Sequence, residues 1–245
     1  MQSAVVRIEE RRQRAQAAAQ GQRFDLYSPI HKGIRAFMAS TLEAAGRMDW
    51  TDAQDVATNL QEVRSLLGFL RSHLHHENQF LHPALEARRP GSACRTAAEH
   101  VDHGRALEAL EAAILAVERA AGAARAQAAQ QLYRELALLV ADNIEHMQVE
   151  ETENNAALWA AYSDAELVAL HEALLATISP AEMSVAMRWM VPAMAPAERA
   201  GLLAEIQAKL PAEAFAGLLA ALQPHLSARE WAKLTAAIGP VASFN

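Results

Sequence analysis

The sequence predicts an all-α protein: an antiparallel up-down four-helix bundle followed by a smaller C-terminal helical lobe. Three observations lead there. Hydrophobic residues make up 52% of the chain but aromatics only 5%, and the difference is largely Ala. With Leu, Glu and Arg, Ala is among the best helix formers, and runs of β-branched residues are almost absent. Apolar residues recur at intervals of three and four in four long segments joined by short connections, the pattern of a bundle. Beyond residue 163 the style changes to short segments opened by capping-box and Pro signals.

Taken in order, residues 1–24 are polar and rich in Gln, Ala and Arg, and read as an N-terminal arm. Ser28-Pro29 offers an N-cap followed by Pro at the first helical position, opening a first helix that runs to about Gly46. Thr51 or Asp52 caps a second helix, which continues to the RRPGS turn at 88–92. Ser92 caps a third, ending near the AAGAA segment at 120–124. A fourth runs from there to about Tyr162, so the bundle spans 25–162. In the lobe, 163–245, Ser163 with Glu166 and Ser227 with Glu230 have capping-box spacing, and Ser179-Pro180, Pro196 and Pro211 open further short helices. Met183, Met187, Met190 and Met194 form a stripe there that reads as core packing or a subunit contact, because Met fills irregular gaps.

The formal net charge is −7 and no basic stripe appears, so no nucleic-acid partner is expected. No apolar run approaches the ~18 residues of a membrane span, so no membrane association is expected. The N-terminus lacks the apolar core of a signal peptide. Cys94 stands alone, which suits a reducing cytoplasm.

The stretch FLRSHLHHENQFLHP, residues 69–83, places histidines and a glutamate among apolar residues. With about 100° of rotation per residue, Leu66, Phe69, Leu70, Glu77, Phe80 and Ala84 all fall within about 60° of His73. His75 points outward and His76 lies on the flank. The device H-x-x-x-E recurs at His146/Glu150, centred on a face with Leu132, Leu136, Leu139 and Ala157. In both places Ala-Leu follows the Glu by seven and eight residues, Ala84-Leu85 and Ala157-Leu158. His31 shares a face with Ile34, Met38 and Leu42. On the third helix His103 lies at the centre of the stripe Leu107, Leu110, Ile114 and Val117, with His100 about 60° to one side.

One inward His is usually satisfied by a carbonyl. Burying imidazoles from four helices together with two carboxylates is different, because each unpaired charge costs several kcal/mol. A divalent cation offsets that cost. The donor set exceeds what one tetrahedral ion needs and suits two ions sharing bridging carboxylates. Imidazole plus carboxylate without thiolate favours iron, with Mn or Zn as alternatives. No H-E-x-x-H occurs, so the zincin arrangement is absent.

These motifs (PIHKGIR around His31, HLHHE at 73–77 with FLHPAL after it, EHVDH at 99–103 and HMQVEE at 146–151) resemble the hemerythrin-like, or HHE cation-binding, domain family over roughly 25–160. The resemblance implies a non-heme di-iron centre inside the bundle. His31, His73 and His146 would be terminal ligands, joined by His100, His103 or both. Glu77 and Glu150 would be the bridging carboxylates. The family pattern favours His100, whereas the helical stripe favours His103. Oxygen-carrying hemerythrins have H-x-x-x-H on the third helix and H-x-x-x-x-D in the last motif; this chain has H-x-x-H and H-x-x-x-E. Both departures speak against simple reversible oxygen carriage, and the second is familiar from family members linked to iron sensing and redox or nitrosative stress.

The reading is therefore a di-iron protein that binds or senses O2 or a related small ligand such as NO or peroxide. The alternatives are a di-iron enzyme (a peroxidase, an oxidase or an NO-processing catalyst) or an iron-handling, stress-response protein. No catalytic residue is assigned. A homodimer through the C-terminal lobe is a further expectation. Glu99, Asp102, Glu145 and Glu151 neighbour the ligands in sequence and could orient them, although charged residues are mostly exposed.

Overall fold

The computed structural model describes residues 23–239, so most of the expected N-terminal arm, residues 1–22, lies outside the described residues. Every regular element among them is helical, and no helix among them is long and apolar enough to cross a membrane. The chain divides into two compact units. The first takes residues 23–28 and 37–178; the second takes 29–36 and 179–239.

The helix α1 (Ser28–Arg47), whose residues 29–36 belong to the second unit and the rest to the first, opens with Pro29 in its first turn but without a side-chain cap from Ser28. Asp25 does that work instead, accepting from the backbone N–H groups of Tyr27 and Ser28 at 2.9 and 3.0 Å. α2 (Ala53–His76) begins at Asp52, whose carboxylate accepts from the backbone N–H groups of Gln54 and Asp55, as one of the two expected caps. α3 (His82–Arg88) follows after a π turn. α4 (Cys94–Arg119) starts at Ala93 without a side-chain cap, so Ser92 does not serve as expected. The Glu86 carboxylate instead holds the N–H groups of Gly91 and Ala93 at 2.7 and 2.9 Å. Gly91 takes φ 86° in this turn, where a side chain would be strained. α5 (Gly122–Val149) packs along α4. A second π turn leads to α6 (Asn155–Ala161). α7 (Asp164–Leu175) opens with the Ser163–Glu166 capping box, and Leu167 packs in a cluster with Leu26, Leu81, Leu85 and Leu158.

The two π turns, Glu77–Leu81 and Glu150–Asn154, each begin on the glutamate of an H-x-x-x-E device. Each wider turn accommodates an extra residue, which advances the helical phase downstream by one position. The wheel therefore fails after Glu77. Phe80 and Ala84, expected inward, are only half-buried, whereas Leu81, His82 and Leu85 are buried. His82 would lie about 180° from His73 on an uninterrupted wheel, yet it is 6% exposed. The same shift after Glu150 buries Leu158 and leaves Ala157 half-buried. Internal repetition in sequence thus corresponds to a repeated local distortion.

The second unit contains α8 (Pro180–Ala193), α9 (Pro196–Lys209), α10 (Ala212–Leu222) and α11 (Ala228–Ile238). Capping boxes at Ser179–Glu182 and Ser227–Glu230 open α8 and α11. Its core gathers Met187, Val191, Leu203, Phe215, Leu219 and Leu222, with Met183 and Met190 packed against it. These three methionines of the stripe serve packing. Arg199 is buried, its guanidinium donating to the carbonyls of Val191, Pro192 and Met194 at the end of α8. The Met194 N–H also reaches the Val191 carbonyl; the last carbonyls of a helix otherwise run short of helical donors, and the cation completes the corner between α8 and α9. Gly33 meets Met190 so closely that an added Cβ would stand 2.9 Å from its Cα and N.

Candidate metal centre

Each H-x-x-x-E device places its His and Glu one helical turn apart on one face. On α2 the pair is His73 Nε2 to Glu77 Oε1 at 3.4 Å; at the end of α5 it is His146 Nε2 to Glu150 Oε2 at 3.2 Å. α4 contributes His100, whose Nε2 lies 3.4 Å from Glu77 Oε2 and 3.6 Å from Glu150 Oε1. Glu77, His100, His146 and Glu150 each offer one donor atom, and all four atoms lie within 4.8 Å of one another. His73, Glu77 and Glu150 meet the same limit, so both carboxylates belong to both groups. Glu77 and Glu150 are 2% and 0% exposed.

The inward-facing nitrogens are set by what holds the other side of each ring. His100 Nδ1 lies 2.8 Å from Asn78 Oδ1. His146 Nδ1 lies 2.8 Å from Glu99 Oε2. Both partners are acceptors, so Nδ1–H donates to them and Nε2 is left with its lone pair toward the carboxylates. The two Nε2 atoms stand 3.0 Å apart. Two lone pairs at that separation need a cation between them, a proton or a metal ion. The residues present fit a divalent cation: hard oxygen and borderline nitrogen donors, buried, gathered and turned inward.

Without a metal the imidazoles carry the positive charge. Burial opposes protonation of His100, but the Glu150 and Glu77 carboxylates outweigh it and raise its pKa to about 9. His146 is raised for the same reasons, burial being overcome by Glu150 and Glu99. Burial and the neighbouring Glu77 work against ionisation of Glu150, yet His100 and His146 hold its pKa below the ordinary carboxylate value. Burial does the opposite to His103. With His146 and His100 beside it, its pKa falls to about 4.

His103 faces the site without joining either group. Its ring meets that of His146 edge-on, centroids 4.8 Å apart, and its buried Nδ1 makes no hydrogen bond. His31 is buried on α1, a continuous helix that also carries Met38, seven residues on and on the same face. Leu66, Leu70 and Leu139 are buried, while Phe69 and Phe80 are half-buried.

Two contributors were not singled out from sequence. Asn78 sits off the His73 face, and only the neighbouring α4 reveals its role. His82 stacks on His100 at 4.6 Å between centroids and lies 3.3 Å from Thr96 Oγ1; the π turn hid it from the wheel. Of the acids neighbouring these histidines in sequence, Glu99 meets a ring, that of His146. Asp102 pairs with Arg105 at the surface instead.

The family model described as hemerythrin HHE cation binding domain matches residues 24–158. Searches of curated proteins and of solved structures returned no significant match.

Proposed function

The chain belongs to the hemerythrin HHE cation-binding domain family, and from that membership we propose that residues 25–162 form an antiparallel up-down four-helix bundle around two iron ions bridged by carboxylates, where the protein binds or senses O2 or a related ligand such as NO or peroxide. Glu77 and Glu150 would be the bridging groups, since both belong to both donor groups. His73 and His31 would serve one ion and His146 and His100 the other. His31 is included on its helical face and on the family pattern. His100 is preferred over His103 because its Nε2 lies among the carboxylate oxygens.

The single observation carrying this reading is the convergence of buried Glu77, His100, His146 and Glu150, with both ring Nδ1 atoms engaged from outside. Bound ferrous ions would supply reversible electron exchange with a small redox ligand. The chain's own residues do the rest. Glu99 and Asn78 fix the ring orientations, and the carboxylates neutralise the cations. Leu66, Leu70 and Leu139 exclude water from the centre, so that charge interactions inside are weakly screened. A reducing cytoplasm, which the lone Cys94 suits, keeps such iron ferrous.

The test exposes anaerobically purified, iron-loaded protein separately to O2, NO and peroxide while its near-ultraviolet and visible absorption is followed. The reading predicts new charge-transfer absorption with at least one of them. It also predicts that Glu150→Ala, which removes a carboxylate from both groups, abolishes the response. Absorption unchanged by all three ligands would refute the sensing or binding role.

A further inference from the structure

His146 and His100 present Nε2 to the same group of donors, yet different chemistry stands behind them. Glu99 Oε2 accepts from His146 Nδ1 at 2.8 Å, and the other oxygen of the same carboxylate accepts from Arg95 Nε at 2.9 Å. Behind His100 stands only the neutral amide oxygen of Asn78, also at 2.8 Å. Distances match; charge does not. A carboxylate accepting a ring N–H makes the opposite nitrogen a stronger donor, and the loss of such an outer partner typically weakens metal binding by about 10- to 100-fold.

Resting on the metal-centre reading above, we infer that Glu99 is a positioning residue whose negative charge makes His146 the strong imidazole donor of the ion shared with Glu77, His100 and Glu150, leaving His100 the weaker one. α4 builds the asymmetry from two adjacent residues. His100 turns inward, and Glu99, about 100° around the helix, reaches across to α5. Arg95, one turn earlier, fixes the carboxylate in that rotamer. Arg95 and Glu99 are about 49% and 30% exposed, so their own pairing adds little stability, and the role of Arg95 is orientation. The two ions are therefore unequal. The one served by His146 and His100 depends on the Glu99 charge, and the one served by His73 does not.

The test uses metal-stripped full-length protein with Co2+ as the probe. Affinity is read by chelator competition and coordination by the visible absorption of bound Co2+. Glu99→Gln keeps an oxygen that can accept the N–H and removes only the charge. The expected result is about 10-fold weaker binding of one of the two Co2+ ions, with altered absorption for that ion and the other unmoved. Glu99→Asp should recover part of the loss. Asn78→Ala should weaken the same ion by a smaller factor. If Glu99→Gln matches the wild type, weakens both ions equally, or loses less than Asn78→Ala, the inference is overturned while the metal centre stands. A wild-type protein that binds no Co2+ overturns the metal-centre reading itself, and this inference with it.

Discussion

At the scale of single residues, His100 and His103 differ in what surrounds them. The two lie three residues apart on α4 and both are buried, so a helical wheel cannot separate them. His100 Nε2 stands among the carboxylate oxygens and its ring is charged below about pH 9. His103 is held neutral down to about pH 4 and packs against the His146 ring. His100→Ala is therefore expected to reduce bound metal from about two ions per chain to about one, whereas His103→Ala retains two; elemental analysis of each variant decides it. The charge on His100 also sets a pH dependence. Its pKa in the fold, about 9, exceeds the ordinary value of 6.5. The proton therefore stabilises the metal-free fold fully below about 6.5, and that contribution is lost as pH rises through about 9. A cation must displace the same proton. Metal affinity should climb with pH and level off above about 9, and competition titrations across that window would show it. An affinity that is flat with pH contradicts the protonated, paired site.

At the scale of elements, the two π turns are the features that sequence periodicity did not reveal. His73, Glu77, His146 and Glu150 were legible because each lies on the regular side of its π turn, where 100° per residue still holds. Beyond Glu77 and Glu150 the phase advances by one residue, which is why Phe80, Ala84 and Ala157 were misplaced and His82 was missed. Only the repeated Ala-Leu spacing carried a trace of it, through the buried Leu85 and Leu158. Inserting one further residue after the exposed Gln79 would rotate Leu81, His82 and Leu85 by about 100° and turn them out of the core. The expected loss is about 2–5 kcal/mol, the cost of removing one large buried apolar side chain or more, measured by urea unfolding. Helix starts were legible wherever side chain and backbone lie close in sequence, as at Asp52, Ser163, Ser179 and Ser227. They failed at Ser28 and Ser92, where carboxylates from Asp25 and Glu86 outcompete the hydroxyl. In the second unit, Gly33→Ala would drive a methyl group into the Met190 backbone. Because backbone cannot swing aside, about 1–3 kcal/mol of destabilisation is expected in the same unfolding measurement.

At the scale of the whole molecule, composition and spacing were enough for an all-helical protein and for the family, because both depend on short-range pattern. Which distant residues meet was not legible. Asn78 with His100 and Glu99 with His146 are contacts between helices, and no spacing rule encodes them. A metal ion held by these side chains would tie those helices together, and a ligand that binds only the folded state stabilises it by about 2.7 kcal/mol at a hundredfold excess over its dissociation constant. Metal-loaded protein should therefore unfold at a higher temperature than stripped protein, and calorimetry would record the difference. The most direct test is the metal content of anaerobically purified wild-type protein beside Glu150→Ala, both verified as folded by circular dichroism. About two iron ions per chain in the first and a loss of both in the second are predicted. Wild-type protein without stoichiometric metal, or a Glu150→Ala variant that keeps its full complement, would contradict a centre built on these converging side chains.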